Sequence, residues 1–169
     1  MKLIRIGAFV TFAGIVAAAF YALSNKVGQL NVAPKQPQRI LSLTLASDEI
    51  LADLCLDGRI VGVTTYADAK GVSNCVGKFP PSVARVNADP EKIAHLKPDL
   101  VFAATYNNPD TLEYLEKLGI RVVKLGKFTS MNDIIDNIRT VAAAAGVQCD
   151  RLIDGIMTQL NDVRMRLQG

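Results

Sequence analysis

The chain has 169 residues, half of them hydrophobic, with 19 basic side chains, 16 acidic ones, one histidine and a net charge of +3. That length suits one globular domain with a real core. Lys2 and Arg5 lie in the first 24 residues, which hold no acid; the remainder balances 17 basic against 16 acidic groups, a field that gives no reason to expect nucleic acid as a partner.

Residues 1–24 read as a signal peptide or a membrane anchor. Lys2 and Arg5 make a positive start, and residues 6–23 are almost wholly apolar. Such a run is long for a signal core and just enough to span a bilayer. Small residues at 17–19 and 22–24 offer cleavage sites. Either reading exports the rest of the chain to the periplasm or another extracytoplasmic space, with residues 6–23 as the anchor if it is retained. No cysteine follows the apolar run closely, so a lipid attachment is not expected. Residues 25–38 are polar with two prolines and read as a linker.

A lobe is expected over 39–148. Arg39 to Thr44 is the first strand. Ser47 is expected to cap the next helix, with Asp48 and Glu49 in its first turn and Ile50, Leu51 and Leu54 as its buried face. Ile60 to Thr64 is the second strand. Residues 66–88, with Gly71, Gly77, Pro80 and Pro81, form a long loop, and a loop of that length in a compact domain is usually functional. Asp89 caps a short helix that has Pro90 in its first position and Glu91 in its first turn. Lys97-Pro98-Asp99 breaks that helix, and the apolar run Leu100 to Ala104 is a strand covered on both faces. Asn108-Pro109 opens a helix with Leu112, Leu115 and Leu118 at three-residue spacing and Gly119 closing it. Arg121 to Leu125 is the fourth strand. Ser130 caps a helix to Ala145 with Ile134, Ile135, Ile138 and Val141 inward and Gly146 as its stop. A last amphipathic helix runs from Asp150 to Leu167 within segment 149–169.

Strands alternating with helices predict an α/β, Rossmann-like three-layer lobe with a mostly parallel four-stranded sheet, followed by a long helix. Ligands on such sheets bind beyond the carboxyl ends of the strands. Those ends carry Tyr66, Lys70, Lys78, Arg85, Tyr106, Asn107, Lys127 and Phe128. Aromatic faces beside cations suit a large, flat or anionic ligand. Taken singly, each of these residues reads equally well as an ordinary solvated loop position; their convergence at one mouth favours a ligand. A tyrosine in such a loop is also able to ligate haem iron.

The three cysteines form no C-x-x-C pair, and with one histidine they complete no familiar metal site. Cys55 and Cys75 are within reach of a bridge in an oxidising compartment, against the commoner outcome of idle thiols. His95, on the short helix, reads as a surface residue. There is no G-x-G-x-x-G after the first strand, no P-loop and no G-x-S-x-G elbow, so no enzyme and no cofactor is expected.

The ordered set RILSLTLASDEILADL, RIVGVTTYAD, DPEKIAHLKPDLVFAA, LEYLEKLGIRVVKL and MNDIIDNIRTVAAAAG resembles the N-terminal lobe of the periplasmic solute-binding proteins of iron-chelate and cobalamin ABC importers. The resemblance covers roughly residues 38–168. It implies a ligand clasped between two lobes joined by one long helix, whose start would be 149–169, with no second lobe in this sequence. It implies ligand contacts from Tyr66 and Arg85, to which the strand-end loops add Tyr106, Lys127 and Phe128 as candidates, and docking of Glu91 onto an inner-membrane ABC permease. Arg85 is similar to the arginine of hydroxamate-siderophore binders, and Tyr66 to the aromatic that cobalamin binders set against the corrin. The two positions leave siderophore, haem and cobalamin all open. The competing expectation is a membrane-anchored extracytoplasmic interaction module that carries no small molecule.

Overall fold

The computed structural model describes residues 36–168 apart from positions 55 and 57. The expected signal or anchor, the linker before Gln36 and Cys55 lie outside the described residues. Among the described residues the chain runs β1 (Ile40–Ser42), α1 (Leu45–Asp53), β2 (Ile60–Thr64), a 3-10 turn (Thr65–Asp68), β3 (Ala84–Val86), α2 (Pro90–His95), β4 (Leu100–Ala104), α3 (Pro109–Lys117), β5 (Arg121–Leu125), α4 (Met131–Ala145) and α5 (Asp150–Gln168). Every strand pairing is parallel, and the sheet order is β3-β2-β1-β4-β5. The order reverses direction between β1 and β4, so the connections after these two strands diverge and leave a crevice at their carboxyl ends.

The sheet has five strands where the sequence pattern predicts four. The added strand, β3, is three residues long, carries Arg85 at its centre and pairs with Gly62 to Thr64 of β2. Three residues inside a proline- and glycine-rich loop are too few to show an apolar run or an alternation.

Each face of the sheet buries one apolar layer. Ile40, Leu100, Phe102 and Leu125 pack with Ile50 and Leu51 of α1 and with Ile138, Val141 and Ala145 of α4; Leu152, Ile153 and Ile156 of α5 close the edge of this layer. On the other face Leu41, Val101 and Ala103 pack with Ile93 of α2 and with Leu112 and Leu115 of α3. Successive residues of β4 feed opposite layers, which is why the strand is apolar throughout. Gly62 permits the second layer to close: a Cβ there would lie 3.0 Å from Leu41 Cδ1 and 3.2 Å from Leu96 Cδ1.

The helix starts follow from side-chain caps. Asp89 accepts the N–H groups of Glu91 and Lys92, and Asn108 those of Asp110 and Thr111. Ser130 and Asp133 form a reciprocal capping box, and Gly146, at φ 71°, ends α4 in the left-handed conformation. Helix α1 differs from expectation. Its cap is Thr44, whose Oγ1 accepts the Ser47 N–H at 3.0 Å. The Leu43 N–H is already held by the Phe102 carbonyl at 2.9 Å, so the chain leaves the sheet at once and the helix begins at Leu45. Ser47, the expected cap, is buried in the first turn. One expected inward residue, Ile134, is 39% exposed, and Leu118, the last of the three-residue series, is 51% exposed. For Leu118 the cause is geometric, since each three-residue step rotates about 60° short of a full turn.

Candidate functional site

The carboxyl ends of β1, β2, β3 and β4 surround an open depression of about 490 Å³. Leu43 and Thr44 form its floor after β1. Thr64 to Tyr66 form one wall and Tyr106 and Asn107 the other, while Val86 to Ala88 close the side toward β3. Tyr66 and Tyr106 are 62% and 69% exposed, so two aromatic rings stand in water at opposite rims. Aromatic surface left in water at a concave mouth is available to a flat apolar ligand.

Polar side chains set this frame. Asn107 accepts the Ala104 N–H at 2.7 Å and donates to the Leu43 carbonyl at 3.3 Å, so it ties the turn after β4 to the end of β1 across the crevice. Beneath the floor lies a buried cluster: Ser42 Oγ is 2.5 Å from Ser47 Oγ, and Thr44 Oγ1 is 2.9 Å from the same oxygen. Asp48, fully buried, accepts the Thr64 N–H at 3.2 Å and the Thr64 hydroxyl at 2.5 Å. Burial pushes its carboxyl up to about 6, against the hydrogen bonds from Ser42 and Thr64, which favour the charged form.

The residues singled out from sequence fall into three groups. Tyr66 and Tyr106 line the depression together. Arg85 does not line it. Its Nε and Nη2 donate to the Asp68 carboxylate at 2.7 and 3.1 Å, and its remaining N–H groups go to the carbonyls of Val83, Phe79 and Pro80. That guanidinium holds the Asp68 carboxyl below the usual carboxylate value. Phe128 faces a separate, mostly apolar groove of about 270 Å³ between α1, α4 and α5, beside Ile50, Ile134 and Ile156. Lys127 is exposed, and its carbonyl accepts from Asn137 Nδ2 at 2.9 Å. Glu91 is exposed in the first turn of α2.

Asp48, Thr64 and Asn87 were not singled out as site residues by the sequence. Asn107 had a signal, because Asn-Asn-Pro after an apolar strand is a turn pattern in which an Asn side chain bonds its own backbone. Asp48 had none, since its position reads equally well as a first-turn surface acid.

His95 is exposed. Among the described residues no three His, Cys, Asp or Glu side chains come together as a metal site. Cys75 is a free, buried thiol among the described residues, 3.1 Å from Ser73 Oγ, and burial raises its pKa.

The described residues thus form a parallel sheet covered on both faces, with an aromatic-rimmed depression at its reversal point. The family profile described as periplasmic binding protein matches residues 40–157, and the chain belongs to that family. It is 30% identical over 135 residues to YvrC of Bacillus subtilis (strain 168), an uncharacterized ABC transporter substrate-binding lipoprotein, covering 77% of this chain and 42% of that protein. CeuE of Helicobacter pylori, solved with Ni(II) bound, superposes with a TM-score of 0.65 at 23% identity over 80% of this chain and 46% of its own. The periplasmic vitamin B12 binding protein BtuF of Vibrio cholerae gives 0.52 at 28% identity over 79% and 49%. The chain thus spans less than half the length of these proteins.

Proposed function

We propose that this chain supplies the N-terminal ligand-binding lobe of an extracytoplasmic solute-binding component of an ABC importer, with an iron chelate, haem or cobalamin as the class of ligand. The observation that carries this reading is the pair of exposed tyrosines, Tyr66 and Tyr106, facing one depression at the reversal point of the sheet. Family membership, the lipoprotein description of YvrC and the vitamin B12 description of BtuF support it. Two aromatic rims suit the face of a corrin, a porphyrin or the apolar flank of a siderophore complex. The depression is open on one side, whereas tight sites bury most of their ligand, so binding to this lobe alone is weak. Export by residues 1–24 belongs to the same proposal.

Glu91 fits a permease contact. It is exposed at the rim end of α2, and its carboxylate has no ion pair among the described residues. Charge pairing at a transient interface steers association.

The test is a titration of cyanocobalamin, haemin and a ferric hydroxamate into the chain, followed by calorimetry and visible absorbance. At least one binds, and replacing Tyr66 and Tyr106 together with alanine weakens it by roughly tenfold or more. Binding of none of the three, or unchanged binding by the double variant, would sink the proposal.

A further inference from the structure

Tyr66 sits at the middle of a short segment, Thr64 to Asp68, that is held from three sides. At its start, Asp48 of α1 accepts both the N–H and the hydroxyl of Thr64. At its end, the Arg85 guanidinium of β3 grips the Asp68 carboxylate as a two-pronged fork. Underneath, Ala67 is fully buried against Val63, Cys75, Phe79 and Val83. Thr64 and Thr65 line the depression, and Tyr66 adds the one aromatic ring of this segment, 62% exposed to water.

Arg85 has little left to offer a ligand. A guanidinium carries five N–H groups, and this one makes five hydrogen bonds: two to Asp68 and one each to the carbonyls of Val83, Phe79 and Pro80. The same side chain thereby fixes the returning loop 79–83, which walls the pocket under Ala67. Contact with a ligand would require breaking one of these bonds, whereas the two to Asp68 hold the end of the Tyr66 segment.

We propose that Arg85 and Asp48 are positioning residues that brace Tyr66 at the rim, and that Arg85 acts on a bound ligand only through the Thr64–Asp68 segment. The ligand side of this inference rests on the depression being the binding site; the brace itself does not.

The experiment labels the chain with 3-fluorotyrosine and assigns the four resonances, Tyr21, Tyr66, Tyr106 and Tyr114, by Tyr→Phe variants. In the absence of ligand, Arg85→Gln and Asp68→Asn each shift and broaden the Tyr66 line and leave the line of Tyr114, which lies on α3, in place as the control for folding. The double variant matches either single one, because residues that act as a unit are not additive. Asp48→Ala moves the same line, and Asp48→Asn, which keeps an acceptor for the Thr64 N–H, restores it. Cyanocobalamin affinity, read by equilibrium dialysis, falls roughly tenfold in each of Arg85→Gln and Asp68→Asn and no further in the double variant. An unmoved Tyr66 line in Arg85→Gln overturns the brace. So does a loss of cyanocobalamin binding in Arg85→Gln that Asp68→Asn does not share, which would mark direct contact. If cyanocobalamin fails to bind the unaltered chain, the cobalamin assignment of the depression falls, while the Tyr66 line still decides the brace.

Discussion

At the scale of single residues, Asp48 carries the clearest consequence. Burial pushes its carboxyl in the folded chain up from the ordinary 3.8 to about 6. The folded state therefore holds a proton that the unfolded state has released between these two values, and stability falls as pH rises through that window. The difference corresponds to about 3 kcal/mol. Asp68 has the opposite sign: with its pKa lowered by Arg85, its contribution is present above the ordinary carboxylate value and is lost as pH falls through the lowered one. The whole-protein pH curve mixes the two, so the informative quantity is a difference. Asp48→Asn, which removes the ionisation and keeps an acceptor for Thr64, is expected to match the unaltered chain near pH 4 and to exceed its unfolding free energy by up to about 3 kcal/mol at pH 7. Urea unfolding of both proteins at several pH values measures this. An equal gap at pH 4 and pH 7 would mean that Asp48 titrates as an ordinary surface acid.

At the scale of elements, two substitutions separate caps from core. Ser130 accepts the Asp133 N–H at 3.2 Å, and Asp133 in turn accepts from Ser130 and Thr129. Ser130→Ala removes one arm of the box and is expected to cost about 1 kcal/mol, with helix content retained by circular dichroism. Phe102 lies fully buried at the centre of β4, and Phe102→Ala is expected to cost about 3–5 kcal/mol. Both features were legible beforehand, because Ser-x-x-Asp before an apolar helix and a five-residue apolar run each have one dominant physical reading. The spans of β2, β4 and β5 were legible for the same reason. What stayed hidden was set by contacts distant in sequence. β3 exists because Gly62 to Thr64 offer an open edge, and nothing inside Ala-Arg-Val announces it. Thr44 caps α1 in place of Ser47 because of a bond to Phe102, 59 residues after Leu43. In the site, the two tyrosines and the turn at Asn107 were readable from their place after apolar strands. The departure of Phe128 to the groove beside α5 was not readable, since it depends on how α4 and α5 pack.

At the scale of the whole molecule, α5 divides into two halves that differ in what they touch. Leu152, Ile153 and Ile156 pack against the first apolar layer. Beyond them the same amphipathic stripe runs on into water: Val163 is 53% exposed and Leu167 82%. Among the described residues no helix is long and apolar enough to cross a membrane, so this stripe is amphipathic surface rather than a membrane-spanning segment. An isolated helical stretch of three turns or so gains too little from propensity to persist in water without packing. Local stability should therefore fall along the helix, from the protection of the core at its start to almost none at its end. Hydrogen exchange resolves this directly. Amides of Val141 to Ala145 in α4 are expected to exchange only by global unfolding, those around Ile156 by a lower-energy opening, and those from Asp162 to Leu167 at nearly the rate of a free peptide. Removing residues 162–169 should then change the unfolding free energy by less than about 0.5 kcal/mol. Strong protection across 162–167 in a monomeric sample would contradict this, because it would require a packing partner that the described residues do not supply.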